Sequence, residues 1–201
     1  MGMIIIAGIS TDVGKTVTAT IAALKLKGTY WKPIESGTCE SSDSARVAKI
    51  IGKGRVHKSI YALKAPLSPH HAAKLEGITI DPAKIIPPQS DGLPLIIEMA
   101  GGILVPISET LLTIDLFTKW KGAKWILVSR HALGSINQTL LTIEALASRG
   151  IYPDLIFNGP ESPESKSPIL ARSGLKVAGY LYPEKDLSID KMLEYAKKWT
   201  I

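Results

Sequence analysis

The 201-residue sequence predicts an α/β fold, a three-layer αβα sandwich around a mostly parallel central sheet. Three observations lead there. Short apolar, β-branched runs alternate with helical patterns along the whole chain. Those runs are continuously apolar, as strands covered on both faces must be. The helical stretches between them can serve as right-handed crossovers joining parallel strands. No internal repeat and no linker-like stretch interrupts the pattern, so residues 1–201 are expected to form one domain.

Residues 3–7 read as a strand and 15–27 as a helix of good helix formers. A second short strand spans 29–31. A helix follows over 42–51, with Asp43 and Ser44 in its first turn. Ser68-Pro69 sets an N-cap before a proline at the first helical position, which predicts a helix over 69–76. Residues 93–97 form a strand that ends at Glu98. A helix over 113–120 and a strand over 125–128 come next. The helix over 135–149 is closed by Gly150. Residues 155–157 are a strand ending at Asn158, and the dense Pro and Ser of 159–168 predict a loop. A last strand covers 177–181, and Ser188 caps a final helix reaching about Trp199.

The net charge of +6 and pI of about 9.3 suit an anionic partner. The lysines are scattered, as at Lys25, Lys64, Lys84 and Lys121, rather than gathered in a stripe. A small anionic substrate is therefore expected, and no nucleic acid. Cys39 is the only cysteine, which excludes an intramolecular disulfide and suits a reducing compartment. Neither a signal-peptide pattern nor an apolar run of about 20 residues is present, so the expected location is cytoplasmic, with no membrane partner.

In such sheets, ligands collect at the carboxyl ends of the strands. Gly8-Ile9-Ser10-Thr11-Asp12-Val13-Gly14-Lys15-Thr16 follows the first strand and opens the first helix. Backbone N–H groups and the helix dipole converge there on an anion. Gly14 admits a phosphate close to the backbone, Lys15 reaches the outer phosphates, and the Thr16 hydroxyl can ligate Mg²⁺. The motif predicts a P-loop NTPase-like fold holding a nucleoside triphosphate on Asp12, Val13, Gly14, Lys15, Thr16 and Val17. One irregularity stands out: five residues, not four, separate Gly8 from Gly14.

Lys32 ends the second strand, where a fixed cation could stabilise charge on a transferring phosphoryl group. Ser36 follows in Lys32-Pro33-Ile34-Glu35-Ser36-Gly37. Glu98, before Met99-Ala100-Gly101-Gly102, occupies the position of a Walker-B-type acid. Thr16, Asp43 and Glu98 together offer oxygen ligands to Mg²⁺. The adjacent His70 and His71 face about 100° apart on a helix and do not make a shared metal site.

In this order the segments resemble dethiobiotin synthetase. The family's P-loop has the same extra residue, here Thr11-Asp12-Val13-Gly14-Lys15-Thr16. Lys32–Gly37 matches its Lys-Pro-x-x-Ser-Gly, Ser42-Asp43 its Ser-Asp, and Ser68-Pro69-His70 its Ser-Pro-His. Glu98 to Gly102 resembles its Glu-Gly-Ala-Gly-Gly, and Gly134-Ser135-Ile136-Asn137 its Gly-x-Ile-Asn. The resemblance implies ATP- and Mg²⁺-dependent closure of 7,8-diaminononanoate with CO₂ or bicarbonate to dethiobiotin. A carbamate and a carbamic-phosphoric mixed anhydride are the intermediates, and ADP and phosphate are released. It assigns Lys15 and Lys32 to catalysis and Thr11, Lys32, Ser36 and Gly101 to the substrate. Gly134 and Asn137 would bind substrate across a homodimer interface. Asn158 would read adenine, with Leu181, Tyr182 and Pro183 flanking it. Met99 stands where the family has glycine, and Glu35 where it has a neutral residue; Glu35 could pair with Lys32 or contact the diamine.

Other classes share the P-loop. A ParA/MinD-like ATPase switch carries an additional early lysine, and the position here is Ile9. Amidoligases of the cobyrinate type add a glutaminase domain, for which the chain has neither the length nor a cysteine in a catalytic context. A nucleotide-binding subunit without catalysis would carry the same motifs.

Overall fold

A computed structural model describes residues 2–39, 42–89 and 91–201. The elements in order are β1 (Met3–Gly8), α1 (Lys15–Leu26), β2 (Thr29–Trp31), β3 (Ile34–Ser36), α2 (Asp43–Ile51), β4 (Tyr61–Leu63), α3 (Pro69–Leu75) and β5 (Leu95–Glu98). There follow α4 (Thr113–Phe117), β6 (Lys124–Arg130), α5 (Ser135–Ala147), β7 (Asp154–Asn158), α6 (Pro163–Ser173), β8 (Val177–Leu181) and α7 (Ile189–Lys198). Six strands form one sheet in the order β2-β5-β1-β6-β7-β8, and every pairing in it is parallel.

Strand periodicity explains the three layers. Alternate residues of β1 face opposite sides of the sheet. Ile4 and Ile6 join one core with Ala19, Ala22, Val47, Met192 and Tyr195, under α1, α2 and α7. Ile5 and Ala7 join the other with Ala72, Ile114, Ile143 and Ile169, under α3 to α6. With both faces buried, each strand must be apolar along its whole length.

One expectation is corrected. Residues 159–168 are not all loop, since α6 begins at Pro163. Ser162 caps it by accepting from the Ser165 N–H, and Pro163 takes a position where the missing N–H costs nothing. Pro168 deletes an interior hydrogen bond, but burial of Ile169 against the sheet holds the helix in place. A small parallel sheet of β3 and β4 adds two strands beyond those expected. Each strand has three residues, too few to show a periodicity.

Strand register positions the chemistry. Ile6 of β1 pairs with Glu98 of β5, and Trp31 of β2 pairs with Ile97. Glu98 therefore lies between the start of the phosphate loop and Lys32, at the carboxyl edge of the sheet.

Candidate active site

The loop between β1 and α1 folds back on itself. At Gly14, φ is 100°, and a β-carbon would sit 2.5 Å from Asn158 Nδ2. At Gly8 a β-carbon would meet Val13 Cγ2 at 2.7 Å and Lys15 Cδ at 2.9 Å. At Gly14 the positive φ strains any other residue, and at Gly8 a β-carbon would force Val13 and Lys15 to shift. Two neighbouring strand ends hold the loop from behind. Arg130 Nη1 donates to the Asp12 carbonyl at 3.1 Å, and Asn158 Nδ2 donates to the Val13 carbonyl at 2.9 Å. Asp12 itself has a φ of 55°, unusual for a residue other than glycine.

A cleft of about 260 Å³ opens over the loop. It is lined by Thr11, Asp12, Gly14, Lys15, Thr16, Val17, Lys32, Asp43, Glu98 and Gly101, together with Arg46. At its floor Lys32 Nζ lies 2.5 Å from Asp43 Oδ2 and 2.9 Å from Glu98 Oε1. The same Glu98 oxygen accepts from Thr16 Oγ1 at 2.9 Å, while Oε2 accepts from the Tyr30 hydroxyl at 2.8 Å. Burial pushes the Lys32 ammonium toward neutrality, but Glu98 and Asp43 outweigh it and hold the pKa above the ordinary lysine range. Burial pushes Asp43 up, and Lys32 more than offsets this, so Asp43 stays an anion. Tyr30 is raised by burial and by Glu98, which keeps it a hydrogen-bond donor.

Lys15 behaves differently. Its Nζ donates to the Ser10 carbonyl at 2.7 Å, and burial lowers its pKa to about 8. The signs follow. Below pH 8 the folded and unfolded states both carry the proton, and the cost of burying the charge is present in full. Between pH 8 and the usual 10.5 the unfolded state binds more protons, so stability should rise by about 3 kcal/mol. Phosphate binding needs the charged form and runs the other way. We expect apparent triphosphate affinity to fall about tenfold from pH 7 to pH 9, while urea midpoints of the free protein increase. Titration calorimetry and urea denaturation across this range check both halves.

Two carboxylates thus converge on the Lys32 ammonium, and the Thr16 hydroxyl donates to one of them; these hard oxygens are a donor set that fits Mg²⁺. Among the described residues no cluster of three His, Cys, Asp or Glu side chains could hold a metal alone. A divalent ion here would depend on Thr16 and on phosphate oxygens to complete its shell.

A second recess of about 110 Å³ lies beyond the helix start, lined by Val17, Asn158, Leu181, Tyr182, Glu184 and Leu187. Pro183 does not line it. Ser36, Gly134 and Asn137 line neither recess. The Ser36 hydroxyl is buried with no hydrogen-bond partner among the described residues. Gly134 and Asn137 are exposed at the start of α5, and Met99 is fully buried in the core. Glu35 does not pair with Lys32; it bonds instead to the start of α2. Sequence reading missed Tyr30, Arg46, Arg130, Glu184 and Leu187. Only Tyr30 left a signal, since it is a polar side chain within a fully buried strand two residues before Lys32.

A family model described as an AAA domain matches residues 3–190. A protein of Christiangramia forsetii called ATP-dependent dethiobiotin synthetase BioD is 45% identical, over 96% of this chain and 94% of its own. Proteins of the same description from Agrobacterium fabrum and Chlamydia pneumoniae are 43% and 40% identical, over 88% and 99% of this chain and 84% and 90% of theirs. Among solved structures, a plasmid partition protein of Borrelia burgdorferi bound to AMPPNP matches with a TM-score of 0.58 at 11% identity, covering 98% of this chain and 94% of that one. A chain of the MinC:MinD cell division protein complex of Aquifex aeolicus matches with a TM-score of 0.52 at 15% identity, covering 96% of this chain and 86% of that one. At such identities these two likenesses show the P-loop fold alone. With relatives of 40% identity and more along nearly its whole length, the chain belongs to the ATP-dependent dethiobiotin synthetase family.

Proposed function

We propose that the chain closes 7,8-diaminononanoate with CO₂ to dethiobiotin, converting ATP to ADP and phosphate. The observation that carries this reading is the pairing of two lysines over one phosphate loop. Lys15 folds over the loop, and Lys32 stands at the cleft floor between Asp43 and Glu98. A carbamate and a triphosphate are both anions, and bringing them together needs fixed positive charge on each side of the reacting atoms.

In this reading one amine of the substrate takes up CO₂ and loses a proton, giving the carbamate. Thr11 and Lys32 hold the carbamate while Lys15 and the loop amides hold the γ-phosphate. A carbamate oxygen attacks phosphorus, and ADP leaves. The second amine then attacks the carbonyl carbon of the mixed anhydride, closing the cyclic urea and expelling phosphate. Thr16, Asp43 and Glu98 would hold Mg²⁺, which when bound shields the phosphate charges. Asn158 commits its Nδ2 to the Val13 carbonyl, so its Oδ1 is left to accept from the amino group of adenine. Val17, Leu181 and Tyr182 supply the walls of that recess, with Pro183 just outside it. Ser36 and Gly101 position the diamine. The exposed Gly134 and Asn137 serve the cleft of a second copy in a homodimer. The exposed free thiol of Cys39 suits the cytoplasm.

The test is phosphate release with ATP, Mg²⁺ and bicarbonate, with and without diaminononanoate. We expect release to depend on the diamine by at least about 10²-fold, the order of a well-positioned substrate. Stimulation by DNA or lipid vesicles in place of the diamine would instead make the chain a switch ATPase. Among the described residues no helix is long and apolar enough to cross a membrane.

A further inference from the structure

The start of α2 holds an arrangement that phosphate chemistry does not account for. Glu35, on β3, is 3% exposed, and no ion pair reaches it among the described residues. Its Oε1 accepts from the Ser44 backbone N–H and from the Ser42 hydroxyl, both at 3.0 Å. Its Oε2 accepts from the Ser59 hydroxyl at 3.3 Å. Burying a carboxylate without a cation is costly, and here the first turn of a helix compensates with an amide and its dipole. The Ser42 oxygen also accepts from the Ala45 N–H at 3.1 Å. The second and third amides of α2 are therefore already taken.

Asp43 is the first residue of that helix. A carboxylate in the first turn of a helix is drawn toward whatever amides of that turn are left free. With those amides occupied, its carboxylate turns away from the helix. Oδ2 meets Lys32 Nζ at 2.5 Å, and Oδ1 lies 3.6 Å from Arg46 Nη1.

We propose that Glu35 is the positioning residue for Asp43. By holding the first turn of α2 it leaves the Asp43 carboxylate to the cation site. The inference rests on the reading of that site given under Proposed function. Glutamine retains the oxygen that accepts from Ser44, whereas leucine has the bulk and no acceptor.

Mn²⁺ binding to the full chain, followed by electron paramagnetic resonance with a non-hydrolysable ATP analogue, tests this apart from turnover. Glu35→Leu should weaken Mn²⁺ binding about tenfold, the order seen when a residue supporting a metal ligand is lost, and Glu35→Gln less than about threefold. The Mg²⁺ concentration for half-maximal turnover should move in the same order, with KM for the diamine unchanged within about twofold. A role in folding alone would lower the melting temperature and leave Mn²⁺ affinity of the folded protein unchanged, which overturns the proposal. If Glu35→Leu does not fold, Ser42→Ala carries the test. It frees one amide and removes one donor to Glu35; about threefold weaker Mn²⁺ binding supports the proposal, and unchanged binding overturns it. Wild-type protein that binds Mn²⁺ but shows no diamine-dependent release would defeat the synthetase reading and leave the Glu35 result to stand by itself. Variants that bind Mn²⁺ like wild type defeat the Glu35 proposal whatever the reaction.

Discussion

Replacing Lys32 with alanine is expected to cut diamine-dependent turnover about 10² to 10³-fold, while ATP affinity changes less than about threefold. The asymmetry comes from where Lys32 sits. It reaches the floor of the cleft from the end of β2, beside Glu98 and across from the phosphate loop. In the proposed reaction its charge would matter most where negative charge gathers between carbamate and phosphorus. Removing it also leaves Asp43 and Glu98 facing each other without their shared cation, and only 1% of the Glu98 side chain is exposed. Breaking a buried pair in this way costs about 3–5 kcal/mol. Added Mg²⁺ should restore part of that loss. Thermal melts with and without Mg²⁺, beside steady-state kinetics and ATP titration, separate the two effects. Equal losses in turnover and ATP affinity would reduce Lys32 to a nucleotide ligand.

Glu98→Gln is expected to lower turnover about 10²-fold and to raise the Mg²⁺ concentration for half-maximal activity more than tenfold. The fold should tolerate the change. Glu98 Oε2 faces the Tyr30 hydroxyl, which can rotate to accept from an amide. The remaining carbonyl oxygen keeps both Lys32 and Thr16. What is lost is one negative charge, so stability should fall by only about 1–3 kcal/mol. The Lys32 pKa should drop as well, because Glu98 is the larger of the two charges holding it up against burial. Measuring Mg²⁺ dependence at fixed ATP distinguishes loss of a ligand from general damage. A loss of turnover that excess Mg²⁺ does not relieve, with unchanged half-saturation, would remove Glu98 from the cation site.

Much of this was legible in the sequence for a simple physical reason. Buried parallel strands must be apolar throughout, so the polar residues that end them stand out. Lys32, Glu98 and Asn158 were found that way, and strand register brings the first two together. The phosphate loop announced itself because its glycines and Lys15-Thr16 fall between an apolar strand and a helix. What stayed hidden depends on contacts between distant segments. Arg130 meets Asp12 across 118 positions of chain, and nothing in its neighbours marks it. Helix α6 was obscured by its own prolines, since local propensity read them as breaks while burial of Ile169 decided otherwise. Glu35 could be noticed but not placed. Its partners Ser42, Ser44 and Ser59 lie on a helix start and a separate loop, and a linear pattern gives no hint that they meet.

The carbonyls of Asp12 and Val13 are tied to the ends of β6 and β7 by hydrogen bonds made wholly within the protein. The chain therefore surrenders the loop's conformational freedom when it folds, not when it binds. Little of the interaction energy of an arriving triphosphate is then consumed in ordering its receptor. Capture can proceed at a rate set by diffusion and electrostatic attraction, without waiting for a rare loop conformation to appear.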